Sequence, residues 1–179
     1  MRPDLDDWLA ESALRVAHRR ESSVSADALW EAATSIPLSD TGLLGRLVRW
    51  RIPGLERDVT FDGLFRNPPF TVLAEGDRWL VSGLVGRIWT LRRDYPVLGS
   101  PEEFLAWSER GTARVAFANW VEPATGGGRA ALGAEVRVQA LGSQGRIGVA
   151  AVSPVVRAFQ NLVGSEGLGA AVRRAERAR

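Results

Sequence analysis

Residues 111–141 read GTARVAFANWVEPATGGGRAALGAEVRVQAL. Val115, Phe117, Asn119 and Val121 fall on one parity, and Arg114, Ala116, Ala118 and Trp120 on the other. After Gly126-Gly127-Gly128 the alternation resumes, with Leu132, Ala134, Val136 and Val138 against Gly133, Glu135, Arg137 and Gln139. Period-two patterning on both sides of a glycine-rich turn predicts an antiparallel hairpin. From about Ser143 the period changes, and Ile147, Ala151, Val155, Ala158 and Leu162 recur at helical spacing. A sheet and a long apolar-striped helix each need a partner for their apolar side. The pattern therefore predicts an α+β fold, with that helix laid across one sheet face and a gap between them where a ligand would sit.

Composition narrows the chemistry. A chain of 179 residues with 45% apolar and 25% charged residues suits one soluble domain with a sizeable core. It holds no cysteine, which removes disulfides, thiolate nucleophiles and zinc–thiolate sites. All 23 basic residues are arginine, so chemistry that needs a lysine amine is excluded. His18 is the single histidine and the only imidazole base on offer, Tyr95 is the one tyrosine, and no metal site or cofactor is expected. A net charge of +2, without basic runs interleaved with aromatics, argues against a nucleic-acid partner. The start Met1-Arg2-Pro3-Asp4-Leu5-Asp6-Asp7 is not a signal peptide, and no stretch is expected to span a bilayer, so a cytoplasmic location is the expectation.

Taken in order, residues 1–12 form an acidic lead, a helical turn around Trp8 and Leu9 at most, loosely packed, and residues 13–179 form one domain. Ala13 to Ser22 alternates as a first strand. Ser25 then caps a short helix through Leu29, Trp30 and Ala33. Leu38 to Trp50 is helical, with Leu43, Leu44, Leu47 and Val48 on one face, and stops at Pro53-Gly54. Val59, Phe61 and Phe65 predict a strand ending at Asn67-Pro68-Pro69. Phe70 to Glu75 and Arg78 to Trp89 make a second hairpin over Gly76-Asp77, with a bend at Gly83 and Gly86. Residues 90–99 read as either loop or a short strand. Ser100-Pro101-Glu102-Glu103 starts a helix that runs through Trp107 and ends at Gly111. In the last helix Pro154 predicts a kink, and Gly164, Gly167 and Gly169 predict fraying.

This order of strand, two short helices, antiparallel strands and long terminal helix resembles the helix-grip fold of the START/Bet v 1-like (SRPBCC) superfamily. The phrases AHRRESSVSADALWEAA, WLVSGLVGRIW, PEEFLAW, GTARVAFANWVEP and LGAEVRV look like those of an uncharacterised bacterial branch, over roughly residues 13–176. The last helix departs from it, with VAAVSPVVRAF and LVGSEGLGA where relatives carry an aromatic pair and an arginine. The resemblance implies a cavity for a lipid, sterol, polyketide or hormone, and in some members cyclase or aromatase activity.

The candidate site residues are Val16, His18, Phe61, Val72, Trp89, Phe117, Asn119, Val136, Val155 and Phe159, as the lining of a cavity for a small hydrophobic or amphipathic molecule. Trp30, Trp50, Trp79, Trp89, Trp107 and Trp120 read first as core, with Trp120 covering the outer side of the sheet. His18 shares a face with Leu14 and Val16 and reads as a core histidine, or more sharply as a polar anchor or proton shuttle. Asn119 is polar on an apolar face and needs a backbone, water or ligand partner. Glu135, Arg137 and Arg114 read as a solvated ladder on the outer face. Arg46, Arg49 and Arg51 beside Leu47 and Trp50 read as a solvated basic edge, or as one that meets an acidic surface. The triple glycine reads as a turn and not a phosphate cradle. Ligand binding without reaction is the leading expectation. A cyclase or dehydratase using His18, and a cavity-poor interaction protein, are the alternatives. Patterning leaves the oligomeric state open.

Overall fold

The structure, a computed structural model, describes residues 2–52, 54–56, 58–90, 92, 95–124 and 129–178. A four-residue helix α1 (Asp6–Leu9) precedes strand β1 (Leu14–Ser22). Helix α2 (Ala26–Ser35) follows, then a 3₁₀ turn (Leu38–Thr41), α3 (Leu43–Arg51) and α4 (Phe61–Arg66). Strands β2 (Thr71–Gly76) and β3 (Trp79–Gly86), helix α5 (Pro101–Ala106), and strands β4 (Thr112–Pro123) and β5 (Ala130–Leu141) complete the sheet. The chain ends in α6 (Gly142–Leu162), a π turn (Val163–Gly167) and α7 (Leu168–Arg177). The five strands are antiparallel in the order β1, β5, β4, β3, β2. This is the α+β architecture that the hairpin and terminal helix predict.

The parity of the hairpin holds residue by residue. Val115, Val121, Leu132, Ala134, Val136 and Val138 join the core under α2, α4, α6 and α7. Ala116, Ala118 and Trp120 join a second cluster on the opposite face. The glycine turn itself, Gly126 to Gly128, lies outside the described residues. Predicted caps are also in place. Ser25 accepts from the Ala28 amide, and Ser100 from the Glu103 amide ahead of Pro101.

Several expectations are corrected. The stretch expected to be a strand through Phe61 and Phe65 is helix α4, because Thr60 accepts from the Gly63 amide and caps it. Phe61, Leu64 and Phe65 then share one side at helical spacing. The third strand ends at Gly86, which has φ +131°, short of Trp89. The sheet irregularity falls between Val72 and Ala74, not at Gly83. The described residues of 90–99 contain no strand, and α5 stops at Ala106. The terminal glycines widen the helix into a π turn, and it continues to Arg177.

The N-terminal lead is docked, not loose. Leu5 and Leu9 are each 1% exposed and pack with Val81, Val85, Phe104 and Trp120 on the outer face. That cover changes the ladder on the same face. Glu135 and Arg137 are both buried and paired at 2.8 Å. Arg137 also binds Asp6 of α1 and donates to the Leu9 carbonyl, while Arg2 and Arg15 approach Glu135. The expected solvated ladder is therefore a buried ion cluster sealed by the lead. Arg114 lies at its edge, donating to Gln139 and to the carbonyls of Phe104 and Leu105.

Helix α6 is turned about its axis relative to expectation. Its buried residues are Gly145, Gly148, Val149 and Gln160. The stripe Ile147, Ala151, Val155 and Ala158 faces outward, with Ile147 72% and Val155 65% exposed. Glycine decides the phase: a Cβ at Gly145 would stand 2.6 Å from the Thr112 carbonyl, and one at Gly148 2.3 Å from the Trp89 ring. The helix comes closest where it has no side chain. Between Val149 and Gln160 no residue of α6 is buried, whereas α7 buries Leu168, Gly169, Ala170, Ala171, Val172 and Ala175. Gly142–Arg177 is, by length and composition alone, long and apolar enough to cross a membrane, as the core helix of a soluble fold can also be.

Candidate functional site

The strand register builds the site. Val16 pairs with Val136, Val136 with Phe117, Phe117 with Ser82, and Ser82 with Val72. Directly paired residues of antiparallel strands point to the same face. Four of the predicted site residues therefore stand in one row across all five strands, on the side covered by α6. Ser82 donates to the Phe65 carbonyl at 2.8 Å and so ties α4 to this row. Phe65, Phe70 and Phe117 form a mutual cluster with ring centroids 5.1–5.4 Å apart, and Phe61 joins Phe65 at 5.0 Å.

The neighbouring row carries the polar groups. His18 pairs with Ala134, and Ala134 with Asn119. The two polar residues thus flank one alanine, about 10 Å apart across two strand spacings. His18 packs beneath the π turn, where a Cβ on Gly164 would stand 2.7 Å from its Nδ1. Its Nε2 is buried and, among the described residues, has no hydrogen-bond partner. Asn119 lines a cavity of about 30 Å³ with Trp30, Phe61, Phe65, Leu132 and Leu168. That space suits a water or two and falls far below the roughly 300–1,000 Å³ of a small-molecule pocket.

The predicted residues separate into groups. Phe61 and Asn119 line the small cavity at the α2 and α4 end. Val16, Val72, Val136 and Phe117 form the central row, of which Val136 alone is buried. Trp89 packs on Gly148, and Phe159 is half-buried on the inner side of α6. Val155 does not belong: it points away from the sheet, and Val156 takes the inward place. Of the tryptophans expected in the core, Trp120 is buried, Trp30, Trp79, Trp89 and Trp107 are half-buried, and Trp50 is 54% exposed.

Two contributors were not predicted. Glu166 of the π turn accepts from the Leu44 amide at 2.9 Å and caps α3 from another element. Arg51 donates to the carbonyls of Ile88 and Thr90 and lies 5.0 Å from the Tyr95 ring centre, fixing the loop that presents Trp89. Contacts this distant in sequence leave no local signature. Burial raises the Tyr95 hydroxyl pKa, and the Arg51 charge offsets this only in part.

No family model matches the chain, and no curated protein matches it. Among solved structures, the crystal structure of TTHA0849 from Thermus thermophilus aligns over 92% of this chain and 99% of that one, at 11% identity and a TM-score of 0.35.

Proposed function

We propose that the protein binds a small, largely apolar molecule between the sheet and the middle of α6. The observation that carries this is the incomplete cover over the centre of the sheet. Phe117 is in the middle of the middle strand, yet it is only half-buried, as are Val16, Val72, Trp89, Val156 and Phe159 around it. Ten consecutive residues of α6 cross this region without one being buried. Apolar surface left half-covered inside a fold gains about 25 cal/mol for each Å² that a guest removes from water. His18 or Asn119 would meet the one polar group of such a guest. The resemblance to the START/Bet v 1-like superfamily points the same way.

The test is saturable binding of N-phenyl-1-naphthylamine, with native mass spectrometry of the freshly purified protein. Wild type should bind one probe molecule, and Val156→Trp, which fills the space from the helix side, should lose it while melting normally. Absence of saturable binding by wild type would overturn the reading.

One observation favours a second reading. The phenylalanine cluster and the small cavity leave little empty volume at the α4 end, as in a protein filled by its own aromatics. Failure of the probe experiment would favour that alternative. The cyclase reading has less support, because among the described residues no hydrogen bond links His18 to a carboxylate.

A further inference from the structure

The outward side of α6 is an unbroken apolar ridge. Ile147, Ala150, Ala151, Pro154, Val155 and Ala158 are all exposed. Only 22% of the most apolar eighteen-residue stretch of this helix is buried. Arg146 and Arg157 stand eleven residues apart, three helical turns, and so share one flank of the ridge. Helix α3 packs against α6 and the π turn. Its Leu43, Arg46 and Trp50 are exposed at helical spacing.

Charge selects the partner. The two helices hold five arginines and no acidic residue. Of the 23 arginines and 21 acids in the chain, that leaves eighteen against twenty-one elsewhere, so the positive surplus is concentrated on these helices. Arg2, Arg15, Arg19, Arg66, Arg78, Arg137 and Arg174 are each paired with a carboxylate, whereas among the described residues Arg46, Arg49, Arg146 and Arg157 are in no ion pair. Aliphatic side chains, proline and an exposed indole, flanked by arginines without counter-ions, match a helix lying in an anionic lipid interface. A nucleic-acid groove would use stacking rings and polar groups instead of an aliphatic ridge.

We infer that α6, with α3 beside it, docks on the surface of a bilayer containing anionic lipid. The helix lies along the interface and does not span it, because α7, continuous with it, is packed into the core. This surface is separate from the ligand gap, and the inference stands whether or not that gap is filled.

The experiment is flotation of the full chain with vesicles of phosphatidylcholine alone, and of phosphatidylcholine and phosphatidylserine mixed two to one. Wild type should float with the mixed vesicles, much less with the neutral ones, and less as salt rises. Arg146→Glu with Arg157→Glu should lower partitioning at least about tenfold. Val155→Asp should abolish it, with an unchanged circular dichroism spectrum and melting temperature, since the site is outside the core. Equal binding to neutral vesicles, no binding to either, or variants that bind like wild type would overturn the inference. So would sedimentation showing a wild-type dimer that Val155→Asp converts to monomer, because the ridge would then be covered by a second copy.

Discussion

Gly133 has no side chain because Trp120 occupies that space. A Cβ built there would stand 2.3 Å from the indole ring, which lies over β5 with the Arg2 guanidinium 5.1 Å from its centre. Gly133→Ala should therefore cost about 1–3 kcal/mol by overpacking, read as a lower urea midpoint with an unchanged slope. Two residues on, burial by itself raises the Glu135 carboxyl pKa. Hydrogen bonds from Arg137 and Arg2, with the charges of Arg137 and Arg15, outweigh it and hold the group below the ordinary value of 4.5. A carboxyl lowered by folding adds stability above the unfolded pKa and loses it as pH falls through the folded one. Wild type should therefore lose stability on acidification below about pH 4.5. Glu135→Gln should be less stable at pH 7 and lose less across the acid limb. A pH series of urea midpoints in which both chains follow parallel curves would refute this. The parity of Glu135 and Arg137 was legible in the alternation. Their burial was not, since it depends on an element more than a hundred residues earlier in the chain.

That element is α1. Four helical residues cannot hold together alone, so a lead of this kind reads as loose. Its stability comes from Leu5 and Leu9 against the outer face of the sheet and from Asp6 on Arg137. Deleting residues 2–11 would expose two leucines, each contributing about 1.5–3 kcal/mol by burial, and open the Glu135 cluster to water. The deletion should lower the urea midpoint and bring 1-anilinonaphthalene-8-sulfonate fluorescence from the uncovered Trp120 face. An unchanged midpoint would mean that the lead does not stabilise the fold. A hint was present in the sequence, because Ala116, Ala118 and Trp120 make the outer parity apolar enough to need cover. Helix α4 misreads as a strand, because the spacing of Val59 and Phe61 fits one, while Thr60 followed by Phe61, Leu64 and Phe65 fits the capped helix that forms. For α6 the helical period was plain and its phase was not. The larger side chains suggested the core face, whereas close approach over Gly145 and Gly148 set it.

At the scale of the molecule, the 36 residues Gly142–Arg177 are one continuous helix held by its two ends. The first turns sit on Thr112 and Trp89, and α7 packs against α2 and β1. Among the described residues, the intervening part of α6 has neither buried side chains nor ion pairs to hold it. Local opening follows the density of buried contacts, so stability along this helix should be uneven. Amides from Ala150 to Ala158 should exchange at least about tenfold faster than those from Leu168 to Ala175. Pro154 adds to this by removing a hydrogen bond from the middle of the fast segment. The same measurement separates the two proposed roles of α6. A guest in the gap should slow exchange in α6 and also around Phe117, and Val156→Trp should reproduce part of that effect without a guest. Anionic vesicles should slow exchange in α6 and α3 while leaving the β4 amides unchanged. Uniform protection from Gly145 to Ala175 in the free protein would mean that α6 is fully docked, and the proposed guest would then have no way to enter between it and the sheet.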